Sequence, residues 1–260
     1  MLTVLSPAKS LDYESPLATT KVSEPTLLAH SAELVEVMAT QSPNKLSKLM
    51  SISPQLGELN FERFQNWEVP FTTETARQAL LAFSGDVYHG LDAQSLNQRD
   101  FTHAQKTLRI LSGLYGVLRP LDLMMPYRLE MGTKLKTSRG KDLYGFWGTH
   151  ITDELNGAMA KSPGAKVLVN LASVEYFKSV RTDSLDAPVV SPAFLDAKGD
   201  GEHKIVAFFA KRARGAMAGW MIKNRVTSIS DLEGFDDLGY RFDGVRSTDD
   251  RPVFTRRNPA

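Results

Sequence analysis

Two prolines and two glycines constrain this chain more than any other feature. They fall within Arg109–Gly132, which reads RILSGLYGVLRPLDLMMPYRLEMG. Pro120 and Pro126 lack an amide donor and clash with a preceding helical turn, so no long helix passes through. Gly113 and Gly116 bracket a tight turn, LSGLYG. Leu, Met and Tyr supply an apolar skeleton, and Arg109, Arg119 and Arg128 space cations along it.

Around this segment the pattern is that of a mixed α/β protein. Leu2–Leu5 is a short apolar, β-prone run. Ala165–Leu171 is the clearest strand, and its nearly continuous apolar character marks it as central. Pro7 ends the first strand, so Ser6 and Lys9 emerge at its carboxyl end. Asn170, Ser173, Glu175 and Tyr176 lie at or just past the end of the second. Ligands of α/β sheets lie beyond such strand ends, which makes Lys9 a candidate phosphate ligand or base. In Phe83–Leu91, FSGDVYHGL, two glycines flank Asp86, Tyr88 and His89. Such a loop lets backbone approach a ligand closely, and Asp86 and His89 are candidate acid–base or metal-binding groups.

Helices are expected elsewhere. Leu27, Ala32, Leu34, Val35 and Met38 make an apolar stripe at helical spacing. Ser42-Pro43 and Ser53-Pro54 each read as a cap followed by a first-turn proline. Thr73 precedes a third capped helix over Glu74–Phe83, and residues 92–108 are again helical. Val189–Leu195 reads as a strand, Asp196–Gly201 as a hairpin turn, and Lys204–Ala210 as its partner strand. That strand passes into a helix with Lys211, Arg212 and Arg214 near its N-terminus, where dipole and cations both favour phosphate. The last residues, RRNPA, read as a frayed end. The expected architecture is a central sheet with flanking helices. It spans residues 1–260 as one compact domain or two intimately joined lobes.

The net charge is only +1, but its distribution is uneven. Residues 101–141 carry eight basic and two acidic side chains, and residues 204–230 six basic and none acidic. The rest of the chain is acidic. If the two basic segments meet, they form a positive cleft that attracts polyanions.

Several chemistries are excluded or unsupported. Without cysteine there is no disulfide, thiol catalysis or Cys-ligated metal. No Walker A, GxGxxG, HExxH or GxSxG motif occurs, and the five histidines are scattered. Neither a cofactor nor a resident metal is expected. The N-terminus shows no secretory leader and no window suits a bilayer, so a cytoplasmic protein without a membrane partner is expected.

Taken together, LSPAKSLDY, FSGDVYHGL, LSGLYGVLRPLDLMMPYRLEMG, NLASVEYF and FFAKRARGAMAGW resemble the peroxide stress response protein YaaA family over essentially the whole chain. The resemblance implies a bacterial protein of the hydrogen peroxide response, tied to iron homeostasis and to limiting iron-driven oxidative DNA damage. It also implies a family-specific α/β fold and binding of double-stranded or structured DNA through a positive cleft. A helix-hairpin-helix-like element goes with it. Leu111–Gly116 resembles the turn of that element, with one residue more between its glycines and with Pro120 where a second helix would run. The DNA-binding candidates are Arg109, Gly113, Gly116, Arg119, Arg128, Lys211, Arg212 and Arg214. No catalytic motif or obligate protein partner is evident. The alternative is an enzyme acting on a nucleotide or phosphorylated small molecule around Lys9, Asp86, Asn170 and Glu175. A third reading, iron sequestration by Asp86, His89 and Glu175, lacks any recurring ligand spacing.

Overall fold

Leu2–Leu5, the first apolar run, is buried on both faces because it lies in the middle of a sheet. The computed structural model describes residues 1–258. Strand β1 (Leu2–Leu5) is followed by β2 (Ser10–Leu11) and then by three helices, α1 (Leu28–Ala39), α2 (Pro43–Met50) and α3 (Pro54–Gln65). Ser53 caps α3, its hydroxyl accepting from Leu56 N at 3.3 Å. The capped helix expected over Glu74–Phe83 is replaced by β3 (Arg77–Gln78), α4 (Ala79–Ala82) and β4 (Phe83–Ser84). Arg77 and Gln78 pair with β7 (Leu123–Met124) instead. Residues 76–83 are buried throughout, and that tertiary setting overrides local helix preference.

Phe83–Leu91 is not a loop past Gly85. Its residues Asp86–Leu91 form α5. Helix α6 (Gln98–Thr107) starts with a capping box between Asn97 and Asp100. The Arg109–Gly132 stretch opens as a hairpin of β5 (Leu108–Ser112) and β6 (Gly116–Leu118). LSGLYG therefore joins two antiparallel strands and not two helices. Gly116 has φ +67°, and a Cβ there would meet the Trp147 ring at 2.8 Å. Trp147 is itself fully buried and donates from Nε1 to Gly113 O at 3.0 Å.

The remaining elements are α7 (Leu143–Trp147), α8 (His150–Lys161), β8 (Leu168–Asn170), α9 (Val174–Phe177), β9 (Val189–Val190), β10 (Ala193–Lys198), α10 (Ala207–Asn224), β11 (Arg241–Phe242) and β12 (Val253–Asn258). The strand expected over Val189–Leu195 is split at Ser191-Pro192 between two sheets. Lys204–Ala210 is not its hairpin partner: only Lys204 bridges to Asp196, and α10 begins at Ala207. Of the RRNPA end, Arg256–Asn258 lies in β12, paired along its whole length with β10, while Pro259 and Ala260 lie outside the described residues. Phe194, Phe235, Tyr240 and Phe254 pack under this second sheet, mostly edge to face.

The central sheet has the order β6-β5-β1-β8-β9. Strands β5, β1, β8 and β9 are parallel, and β6 is antiparallel at the edge. From β1 the chain adds strands on one side, β5 and β6. It then returns to add β8 and β9 on the other. The crevice beyond the carboxyl ends of β1 and β8 is thus the topological switch point, where open α/β sheets bind ligands.

Candidate functional site

Leaving the sheet, β1 and β8 are tied together by serines. Ser6 Oγ accepts from Ser173 N at 2.8 Å and donates to Ser173 Oγ at 3.2 Å. Ser173 also caps α9. Tyr88, buried on α5, donates its hydroxyl to Ser6 O at 3.0 Å. Burial pushes the Tyr88 hydroxyl well above its ordinary range, so it remains a donor.

A cavity of about 450 Å³ opens over this crevice. Ser6, Lys9, Asp86, Ser173, Glu175 and Tyr176 all line it, as do Glu130, Lys211 and Arg214. Six of the seven strand-end polar groups expected from sequence are therefore together. The seventh, Asn170, lines an adjoining cavity of about 410 Å³. Arg214 lines both. A third cavity, about 340 Å³, shares Lys9, Glu130 and Glu175 with the first and adds Arg128.

The second wall is built by a close helix crossing. A Cβ on Gly215 of α10 would come within 1.7 Å of Val87 O, and one on Gly90 within 2.1 Å of Arg212 O. Only glycine permits this approach, which sets Asp86 at the start of α5 against Lys211 and Arg214 of α10. Lys211 and Arg214 are three residues apart and share a helix face.

Charges divide into paired and unpaired sets. Lys9 Nζ meets Glu130 Oε2 at 2.8 Å, and Arg128 meets Glu130 Oε1 at 3.2 Å, so Glu130 bridges two cations. Glu175 Oε1 accepts from Gly132 N at 2.9 Å. Burial, then Tyr127 and the carboxylates of Glu175 and Glu130, hold the Tyr176 hydroxyl protonated. Arg214 is different. It is partly buried, burial alone pulls its pKa down, and it has no hydrogen bond or ion pair among the described residues. A desolvated guanidinium without a partner favours an arriving anion.

The other expected site residues are placed elsewhere. Arg109 is 6% exposed, and its guanidinium donates to Gln105 O and Leu108 O. Burial lowers its pKa to about 10. Gly113 and Gly116 are buried in the hairpin. Arg119 is held by Asp122 at 2.9 Å and by Glu24 O at 2.6 Å. Arg109, Gly113 and Gly116 are buried and Arg119 is partly buried and paired, and none of the four lines the three cavities. Arg212 is exposed on α10 but lines none of the three cavities. His89 is exposed and lines none of the three cavities, whereas Glu175 lines two of them. Among the described residues no group of three or more His, Asp and Glu is placed to share a metal ion.

Sequence reasoning missed Glu130, although it is one of only two acids between residues 101 and 141. An acid alone amid cations is the signal of a bridging role. It also missed Lys178, Ser191, Ile205 and Arg251, which line the Asn170 cavity from four separate segments. Among the described residues no helix is long and apolar enough to cross a membrane.

A family model described as peroxide stress protein YaaA matches residues 1–245. That span includes β1, β8, α5 and α10 and every residue named at the central crevice. The chain belongs to the peroxide stress protein YaaA family.

Proposed function

We propose that the protein acts in the peroxide response by binding double-stranded or structured DNA along the three adjoining cavities. The observation that carries this is their shared line of cations. Arg128, Lys9, Lys211, Arg214, Lys178 and Arg251 face only three carboxylates, Asp86, Glu130 and Glu175. Lysines and arginines arranged this way contact phosphate more than base edges, so binding is largely independent of sequence. Each neutralised phosphate also sheds condensed counterions. Ferrous iron held on the backbone is displaced with them, which moves iron–peroxide chemistry away from DNA.

The test is fluorescence anisotropy on a labelled duplex across a salt series. The double change Lys211→Ala, Arg214→Ala removes two contacts and flattens the slope of log K against log salt by about 1.8, at ~0.9 per phosphate. Arg212→Ala, on the same helix turn but outside the cavities, leaves the slope in place. An unchanged slope in the double variant, or an equal loss from Arg212→Ala, refutes the assignment.

One observation favours a second reading, an enzyme or binder of a phosphorylated small molecule. The largest of the three cavities lies at the switch point of the sheet and is closed by α5 and α10. Lys9, Asp86, Glu130 and Glu175 are then the acid–base groups, with Asn170 next door.

A further inference from the structure

The two cavities that meet at Arg214 are lined by different side chains. The switch-point cavity carries Ser6, Lys9, Asp86, Ser173 and Lys211 in its wall. Its neighbour is walled by Ala172, Val174, Phe177, Phe194, Ile205 and Ala210. Val174 and Ile205 are 88% and 58% exposed at the rim of that neighbour, an uncommon density of bare apolar surface beside a cavity. Asn170, Lys178, Ser191, Arg214 and Arg251 supply its polar lining. Asn170 Nδ2 donates to Ser191 Oγ at 3.3 Å, and Asn170 Oδ1 accepts from Ala172 N at 3.0 Å. The Ser191 hydroxyl proton has no acceptor among the described residues.

We propose that these two chambers together bind a mononucleotide, with its phosphate on Arg214 and its base against Phe177 and Ile205 in the second chamber. The proposal rests on the small-molecule reading above and adds the substrate class. Three features select this ligand. An unpaired guanidinium at the junction asks for an anion, and phosphate satisfies its fork of donors. Phe177 and Ile205 in the wall of the second chamber offer contacts to a ring with an apolar face. Ser191 and Asn170 at its side offer hydrogen bonds to a base edge. Lys211 lies in the switch-point chamber, three residues from Arg214, and adds a second cation to the phosphate. The sugar and any reacting bond then face Lys9, Asp86 and Glu130. A sugar phosphate alone fills half of the site, and an uncharged nucleoside leaves Arg214 unmatched.

Isothermal titration of the full chain with AMP, ribose 5-phosphate, adenosine and inorganic phosphate tests this in the absence of DNA. AMP binds about tenfold or more tighter than ribose 5-phosphate, as expected where a base stacks on apolar side chains. Arg214→Gln weakens AMP and ribose 5-phosphate alike. Ile205→Glu, a change at an exposed position that leaves the melting temperature unaltered, weakens AMP about tenfold and leaves ribose 5-phosphate unchanged. Equal affinity for AMP and ribose 5-phosphate overturns the base chamber while leaving the phosphorylated small-molecule reading intact. No binding of any of the four ligands overturns both. Duplex binding, measured separately by anisotropy, is decided by its own salt slope.

Discussion

Gly215→Ala probes the crossing that holds the candidate site together. In an ordinary helix interior this change is stabilising by about 1 kcal/mol, because alanine costs less backbone entropy than glycine. At Gly215 the added Cβ lands 1.7 Å from Val87 O and 2.6 Å from Val87 C. Real Cβ contacts do not fall below 3.0 Å, so about 1.3 Å has to be made up. The obstacle is a backbone carbonyl, which cannot rotate aside, so α5 must move as a body. Overpacking costs about 1–3 kcal/mol and more where backbone resists. Against the propensity gain, a net loss of about 2 kcal/mol follows. For a chain of this size that lowers the melting temperature by about 4–8 °C. Shifting α5 also carries Asp86 and Val87 away from Lys211 and Arg214, so ligand affinity falls with stability. The matched control is Gly157→Ala in α8, an exposed helical position where a Cβ would meet nothing within 4 Å. It raises the melting temperature by about 2–4 °C through the propensity term alone. Differential scanning calorimetry on both variants decides the matter. If Gly215→Ala is as stable as wild type, the two helices are not in backbone contact, and the wall of the cavity is built some other way.

Two further outcomes follow from buried charges. Asp196 is 3% exposed and accepts from Arg256 Nε at 2.5 Å and from the Tyr240 hydroxyl at 2.7 Å, so Arg256→Ala destabilises by about 3–5 kcal/mol in urea titration. A loss under about 1 kcal/mol means that β12 is peripheral to stability. Burial first, then Arg225 and Lys106, hold His103 below its usual pKa. The unfolded chain then takes up that proton first, so stability present above about pH 6.5 is lost as pH falls toward the folded value. Wild type therefore loses this contribution as pH falls from above the ordinary histidine value of about 6.5 to below the lowered value of the folded state. His103→Gln flattens that loss in paired denaturation curves, and parallel losses refute the assignment.

The parts legible from sequence share one cause, local dominance. Leu2–Leu5 and the pair Leu168 and Val169 are buried on both faces, so their continuous apolar character needs no knowledge of partners. Their ends are marked by Pro7 and by the polar run from Asn170, and those ends bound the cavity. The misread elements depend on distant chain. Arg77–Gln78 is a strand because Leu123–Met124 lies beside it. Lys204–Ala210 has the aromatic and β-branched content of a strand, yet Ala207 onward is helical. There α10 packs on α5 through Gly215 and Gly219, residues that argue against a helix when read locally. Sequence periodicity cannot see a partner that supplies only backbone.

Charge counting failed and succeeded for the same reason. The two basic segments, 101–141 and 204–230, have the same balance, yet the four arginines of the first are consumed by the fold, while Lys106, Lys134, Lys136 and Lys141 stay exposed away from the cavities. Arg109 is spent on its own carbonyls, Arg119 on Asp122 and Glu24, and Arg139 on Glu33 and His30. Only Arg128 reaches the cavities, and it does so already bridged by Glu130. In the second segment Arg225 pairs with Asp100, whereas Lys211 and Arg214 keep their charge for the cavity. A cation held by an internal carboxylate has already traded its hydration for that partner, so its remaining attraction for phosphate is small. A partly desolvated cation without one has lost hydration and gained nothing, so the first anion of the right shape recovers that cost. The quantity that points to function is therefore unpaired charge per cavity and not charge per segment. By that measure the centre of the molecule is Arg214, between two chambers, and not the proline-marked stretch that shapes the wall opposite.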